Sequence, residues 1–181
     1  KEILTKAQTD LLPLLQDMKN QFGLVGGTAV ALHVGHRRSI DFDLFSATPF
    51  NTNDIKKRIT RLSPITTVLI DRAGEYTVVS HGVKLTFYQF PYRIPYADAL
   101  DNVIKLPDLV TLSAMKALAL GRRAKWKDYV DLYVILRDHC SLADISSRSR
   151  RLFGADFNEK LFRIQLSYFK DINYEEAVDW L

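Results

Sequence analysis

Three runs, Thr66 to Ile70, Tyr76 to Ser80 and Val83 to Phe90, are crowded with β-branched and aromatic residues, and Ala73-Gly74 and His81-Gly82 separate them. Such residues suit a pleated, half-buried surface, and the glycine pairs suit turns, so this stretch is committed to a sheet. Pro91 and Pro95 then end the sheet region. Upstream, Ile3 to Gln21 has helical spacing broken by Pro13. Phe22 to Val25 reads as a strand, Thr28 to Val34 as a short helix closed by Gly35, and Ile40 to Phe45 as another strand. Asn53 to Leu62 reads as a helix capped by Thr52 or Asn53. Downstream the character changes. Residues 107–122, 126–139, 142–152, 158–170 and 174–181 all read as helices. The order is a mixed α/β half to about residue 100 and then a helical half, which makes the chain α+β.

Composition narrows the class. With 47% hydrophobic and 25% charged residues among 181, the balance is that of an ordinary globular chain, not a disordered or fibrous one. The longest nearly apolar stretch, Phe22 to Val34, holds three glycines and a histidine and falls short of the ~20 residues that span a bilayer. No basic-apolar-small leader opens the sequence, and the single Cys140 cannot form an internal disulfide, so a reducing, cytoplasmic setting is expected. The net charge of +4 says less than its distribution. Basic clusters at His36-Arg37-Arg38, Lys56-Lys57-Arg58 with Arg61, Arg122-Arg123 with Lys125 and Lys127, and Arg148 with Arg150-Arg151 would suit a basic face for a nucleic-acid partner. Each alone also reads as a solvated surface.

The strongest local feature is Ser39-Ile40-Asp41-Phe42-Asp43-Leu44-Phe45. On a strand, alternate side chains share a face, so Ser39, Asp41 and Asp43 are expected on one side and Ile40, Phe42 and Leu44 in the core. Two carboxylates that close repel unless a cation joins them, and hard oxygen ligands suit Mg²⁺. A bare Asp-x-Asp is common on solvated strands, so it needs support. Gly26-Gly27-Thr28 supplies it, between an apolar strand and a short helix some dozen residues earlier. Glycines allow close approach of backbone to a phosphate, and free N–H groups at a helix start favour an anion. Together these elements describe a site for a metal-bound triphosphate.

A third constellation lies between Lys116 and Asp131. Lys116 and Arg123 are seven apart and would share a helix face. Asp128 and Asp131 are three apart on the next helix. A cation here could neutralise charge on a leaving pyrophosphate, with an acid orienting it. An ion-pair network between two packed helices is the plainer alternative.

Gly26-Gly27-Thr28-Ala29 followed by Arg38-Ser39-Ile40-Asp41-Phe42-Asp43-Leu44-Phe45 resembles the opening motif of the polymerase-β-like nucleotidyltransferase superfamily. Met115-Lys116, Ala119, Arg123, Lys127-Asp128 and Asp131-Leu132-Tyr133 resemble the later motifs of the AbiEii-type nucleotidyltransferase toxins. The matching blocks bracket residues 22 to 136. The resemblance implies a nucleotidyltransferase-like mixed sheet with flanking helices over residues 1–100 and a helical region over 101–181 packed on it. It implies that Asp41 and Asp43 hold Mg²⁺ or Mn²⁺, that Gly26, Gly27, Thr28, Ser39 and Arg123 contact the NTP, that Lys116 binds its phosphates, and that Asp128 is a later essential acid. It further implies transfer of a nucleotide to an acceptor hydroxyl, such as the 3′ end of tRNA, by the toxin of a toxin–antitoxin or phage-defence system with a cognate antitoxin and no membrane. Ser39 stands where some members are phosphorylated and so inactivated.

One departure is visible. The strand on which many nucleotidyltransferases carry a third carboxylate corresponds to Val83 to Tyr88. It has no acid, and Lys84 and Thr86 are expected to share the face instead. The general base is therefore unassigned, Asp71 and Glu75 being weak candidates. This leaves room for two alternatives: a retired core that only binds nucleotide or a partner, and a transferase acting on a small molecule or protein. His33, His36, His81 and His139 do not make a zinc set. Trp126 reads as a packing aromatic, and Tyr129, Leu132, Tyr133 and Leu136 as a core stripe.

Overall fold

The computed structural model describes residues 3–123, 125–170 and 172–181. The chain opens with two short helices, α1 (Lys6–Asp10) and α2 (Leu12–Met18). Thr5 and Gln8 form a reciprocal capping box on α1. The expected interruption falls just before Pro13, where α1 ends and α2 begins. Pro13 lies in the first turn of α2, where its missing N–H costs nothing.

A five-stranded sheet follows, built from β1 (Gly23–Val25), β2 (Phe42–Ser46), β3 (Ile65–Arg72), β4 (Glu75–Ser80) and β5 (Val83–Gln89), with α3 (Gly26–Val34) and α4 (Thr52–Leu62) between them. Its order is β1-β2-β5-β4-β3. Only the β2–β5 pair is parallel; the other three neighbours run antiparallel. The three β-rich runs therefore form the β3–β4–β5 meander, turning at Gly74 and Gly82, both of which need positive φ. The cap of α4 is Asn51, one residue before the expected pair.

Phe42, Leu44, Leu85 and Phe87 are fully buried, and Phe22 stacks edge-on against Phe87 with centroids 5.3 Å apart. Ile40 is 56% exposed, contrary to the alternation expected of it, because β2 begins only at Phe42. A small hairpin, β6 (Asp98–Leu100) and β7 (Ile104–Leu106), lies beyond the prolines and was not legible in the sequence.

The remaining helices are α5 (Leu109–Leu120), α6 (Trp126–Asp138), α7 (Leu142–Phe153) and α8 (Glu159–Gln165). α5 is apolar almost all round and packs against α3, α6, α7 and α8, which is the position such a helix must take. Three expectations fail here. The helix expected over 158–170 ends at Gln165. Tyr133 is 62% exposed and not core. Residues 174–181 are not helical; their backbone groups bond to residues 36–38 instead.

Candidate active site

The two acids stand where β2 begins. Asp43 is a strand residue paired with Val25 on one side and Thr86 on the other. Asp41 lies two residues earlier, and its neighbour Phe42 pairs with Leu85, which brings Asp41 beside Lys84 on β5. Lys84 Nζ lies 2.5 Å from Asp41 Oδ2. Val83, Leu85 and Phe87 are buried while Lys84 and Thr86 are partly open, so the latter two share the face expected of them. Burial pushes the Asp43 carboxyl above its ordinary range, and the neighbouring Asp41 charge pushes the same way. Lys84, a hydrogen bond with Thr86 and Arg123 only partly oppose this.

The glycine turn is in direct contact with this strand. Gly26 has φ +70°, and a Cβ there would stand 2.1 Å from Asp43 Oδ2. A Cβ on Gly27 would stand 2.7 Å from Arg37 Nη2 and 2.9 Å from Ser39 Oγ. Thr28 donates its hydroxyl to the carbonyl oxygens of Asp41 and, at 3.2 Å, Ser39. Buried Gln8 donates to the Ser39 carbonyl as well, at 2.8 Å. The glycines are thus required by the chain's own side chains, which close on the turn from β2 and the loop before it. The structure brings Gly26, Gly27, Thr28, Ser39, Asp41 and Asp43 together.

Behind the turn lies a buried ion network. Lys116 Nζ, on α5, meets Asp128 Oδ1 at 2.7 Å and Asp131 Oδ2 at 2.8 Å, both on α6. Asp131 also receives Arg37 Nε at 2.6 Å and Nη2 at 2.9 Å, and His36 Nε2 lies 2.7 Å from its Oδ1. Burial disfavours the charge on Lys116, but the two carboxylates overcome it and hold the ammonium above its usual range. Burial likewise opposes ionised Asp131, yet Lys116, His36 and Arg37 hold its carboxyl far below the usual carboxylate range. α5 ends before Arg123, so no single helix carries Lys116 and Arg123. They converge nonetheless, because Arg123 Nε reaches Asp128 Oδ2 at 3.4 Å.

Sequence reasoning passed over Arg37, which is only 2% exposed, and over Lys84 as a partner of Asp41. For Arg37 no local signal existed, since its partner is 94 positions away. Lys84 carried one: it shares a strand face with Thr86 beside the Asp-x-Asp strand.

The segment Ile172–Leu181 borders the same region. Arg38 N donates to Asp179 O at 2.7 Å, Leu181 N to His36 O at 3.2 Å, and Trp126 N to Asn173 O at 3.1 Å. Glu176 pairs with Lys125 and Lys127 at 3.3 and 3.1 Å, and despite partial burial these cations bring its carboxyl down to about 2. Trp126 packs on Tyr174 with ring centroids 5.1 Å apart, as a packing aromatic should.

The family model of the nucleotidyl transferase AbiEii toxin, from type IV toxin–antitoxin systems, matches residues 14–180. The chain belongs to the AbiEii family. It is a nucleotidyltransferase of the toxin class. An uncharacterized protein of Aquifex aeolicus (strain VF5), aq_aa25, is 30% identical to this AbiEii chain over 171 residues, covering 88% of this chain and 79% of its own length. The fold is similar to that of a putative nucleotidyltransferase from H. pylori, with TM-score 0.59, 16% identity, and 89% and 90% of the two chains covered. It is also similar to MenT4, the nucleotidyltransferase toxin Rv2826c of Mycobacterium tuberculosis H37Rv, with TM-score 0.55, 14% identity, and 79% and 61% covered. No helix among the described residues is long and apolar enough to cross a membrane.

Proposed function

We propose that this AbiEii nucleotidyltransferase moves a nucleotide from a magnesium-bound NTP to the 3′ hydroxyl of an RNA, with tRNA as the acceptor, and that a cognate antitoxin restrains it. The observation that carries the reading is the meeting of Asp41 and Asp43 with the Gly26-Gly27 turn at the start of α3.

The donor set fits a divalent ion. Two carboxylates offer hard oxygens, and the charge of Asp43 is disfavoured first by burial and then by Asp41, which Lys84 only partly offsets. Among the described residues no group of three or more His, Cys, Asp or Glu side chains gathers as a closed metal site. An ion held by Asp41 and Asp43 would therefore complete its shell with substrate phosphate oxygens and water, as suits a cation that arrives with a nucleotide. When bound, such an ion would polarise the α-phosphate and offset charge developing on the departing pyrophosphate.

The chain's own groups do the rest in this reading. The first N–H groups of α3 face phosphate oxygens at the turn, where the helix dipole favours an anion. Arg37 Nη2 stands against Gly27, held there by its pair with Asp131. Lys116 and Asp128 serve from behind, as members of the network that fixes Arg37 and Arg123. The acceptor hydroxyl gives up its proton to water and attacks the α-phosphorus, the bond to the pyrophosphate oxygen breaks, and pyrophosphate leaves. Lys125 and Lys127, which share Glu176 between them, leave one net positive charge there to draw an RNA backbone, a hold that salt would weaken.

The test is to incubate the chain with labelled NTPs, Mg²⁺ and total tRNA beside an Asp41→Ala Asp43→Ala variant. Label is expected in tRNA only with the unaltered chain. Equal labelling by the double variant overturns the assignment of the acids. Labelling of protein or small molecules and not RNA overturns the choice of acceptor.

A further inference from the structure

Lys84 lies on β5, beside the Asp-x-Asp strand, and it is directed at one of the two acids meant for a cation. Its Nζ is 2.5 Å from Asp41 Oδ2. The charges of Asp41, Asp43 and Glu176 all act on it as well. Burial disfavours its ammonium, but the pairing with Asp41 outweighs that. The position is fixed by backbone and not by a flexible loop, since Lys84 lies in β5 and the adjoining Leu85 is in register with Phe42 of β2.

We propose that Lys84 is the built-in counter-cation of the Asp41–Asp43 pair, so that the site takes its divalent ion together with a nucleoside triphosphate and poorly without one. The inference rests on the metal–nucleotide reading above and adds an order of loading to it. The charges explain why. Asp41 and Asp43 contribute −2 and Lys84 +1. A bare divalent ion must displace the ammonium from Asp41 and then lie next to it, two cations sharing one small site. A nucleotide brings several phosphate charges. The displaced ammonium then has a new anion within reach of its long side chain, and the repulsion becomes an attraction. Lys84 thus passes from carboxylate to triphosphate as the site fills. It positions the substrate's phosphates while keeping the acids paired when the site is empty. Metal and nucleotide binding are therefore positively coupled, and by linkage each strengthens the other by the same factor.

The experiment is a Mn²⁺ titration of the full chain, read by the electron paramagnetic resonance signal of the free ion, with and without the non-hydrolysable analogue α,β-methylene-ATP. Lys84→Met is expected to bind Mn²⁺ alone about tenfold more tightly than the unaltered chain, the low end of what one adjacent opposite charge does to a carboxylate's hold on a cation. It should also gain less from the nucleotide. Lys84→Arg should keep the original coupling, and Lys84→Gln repeats the test if the Met variant does not fold. Mn²⁺ affinity in the neutral variants equal to or weaker than in the unaltered chain overturns the role of Lys84, while the metal site stands if Asp41→Asn Asp43→Asn still abolishes binding. Mn²⁺ binding indifferent to that double substitution overturns the metal site itself, and the proposal with it.

Discussion

Arg37 and Asp131 are 94 positions apart and meet in a two-pronged pair, Nε to Oδ1 at 2.6 Å and Nη2 to Oδ2 at 2.9 Å. The pair ties the loop before β2 to α6, and so joins the glycine turn to the helical half. Planar guanidinium and carboxylate match only in this fork, which fixes direction as well as distance.

Removing the carboxylate should therefore cost more than a surface ion pair would. Asp131→Ala leaves Arg37 and Lys116 buried with one acid fewer between them. Loss of one partner in a buried pair costs about 3–5 kcal/mol. The expected result is a urea midpoint shifted down by that free energy divided by the slope, with the slope itself unchanged. As a control, Lys6→Ala breaks the exposed pair with Asp10 and should change stability by less than about 1 kcal/mol. Equal effects of the two substitutions would show that the network adds nothing to the fold.

The same network sets a pH dependence. The Asp131 carboxyl is held below its ordinary range in the folded chain. Below about pH 4 the unfolded chain takes up a proton that folded Asp131 refuses, so stability falls as pH falls. Above that range its contribution is fully present. Lys116 is held above its ordinary range, so its contribution is complete at neutral pH and is lost only as pH rises past about 10.4. Denaturant melts across pH should show a steeper acid loss in the unaltered chain than in Asp131→Asn. Parallel acid limbs would refute the attribution.

Much of the fold was legible because its signals are local. The β-rich runs and glycine turns declared β3, β4 and β5, and the alternation of Asp41 to Leu44 placed both acids away from the buried Phe42 and Leu44. What could not be read depends on distant partners. His36-Arg37-Arg38 looks like a solvated cluster until Asp131 arrives from α6. Residues 174–181 have helical spacing, yet their backbone bonds go to residues 36–38, and tertiary pairing overrides the local pattern. Ile40 follows the alternation of a strand that has not yet begun. Tyr133 has the spacing of its buried neighbours but lies at the margin of the α6 stripe, under the Arg137 guanidinium.

Gly26 offers a sharper test of the turn. Gly26→Ala places a methyl group against Asp43 in a left-handed backbone. Gly82 has nearly the same φ, +74°, with nothing within 4 Å of the added carbon. Gly82→Ala should cost ~1 kcal/mol from backbone strain alone. Gly26→Ala should cost more and also displace Asp43, so nucleotide-dependent Mn²⁺ binding should fall at least tenfold while Gly82→Ala leaves it intact. Matching behaviour of the two variants would mean that the Asp43 contact is not what demands glycine at position 26.

Asp43 itself should show the tension between folding and chemistry. Its carboxyl is pushed up by burial and by Asp41, so the folded state holds the proton more tightly than the unfolded one. A group shifted in this direction weakens the fold at neutral pH, and the penalty fades as pH falls through its folded value toward the ordinary carboxylate range. Asp43→Asn removes the charge, keeps the shape, and leaves Thr86 an oxygen to bond. The variant should be more stable than the unaltered chain at pH 7 by ~1 kcal/mol, the size commonly gained when a strained functional residue is relieved. The advantage should shrink toward pH 4, and nucleotide transfer should be lost at every pH. A stability equal to or below that of the unaltered chain at pH 7 would mean that Lys84, Thr86 and Arg123 already offset the charge in full, and that Asp43 does not await a cation.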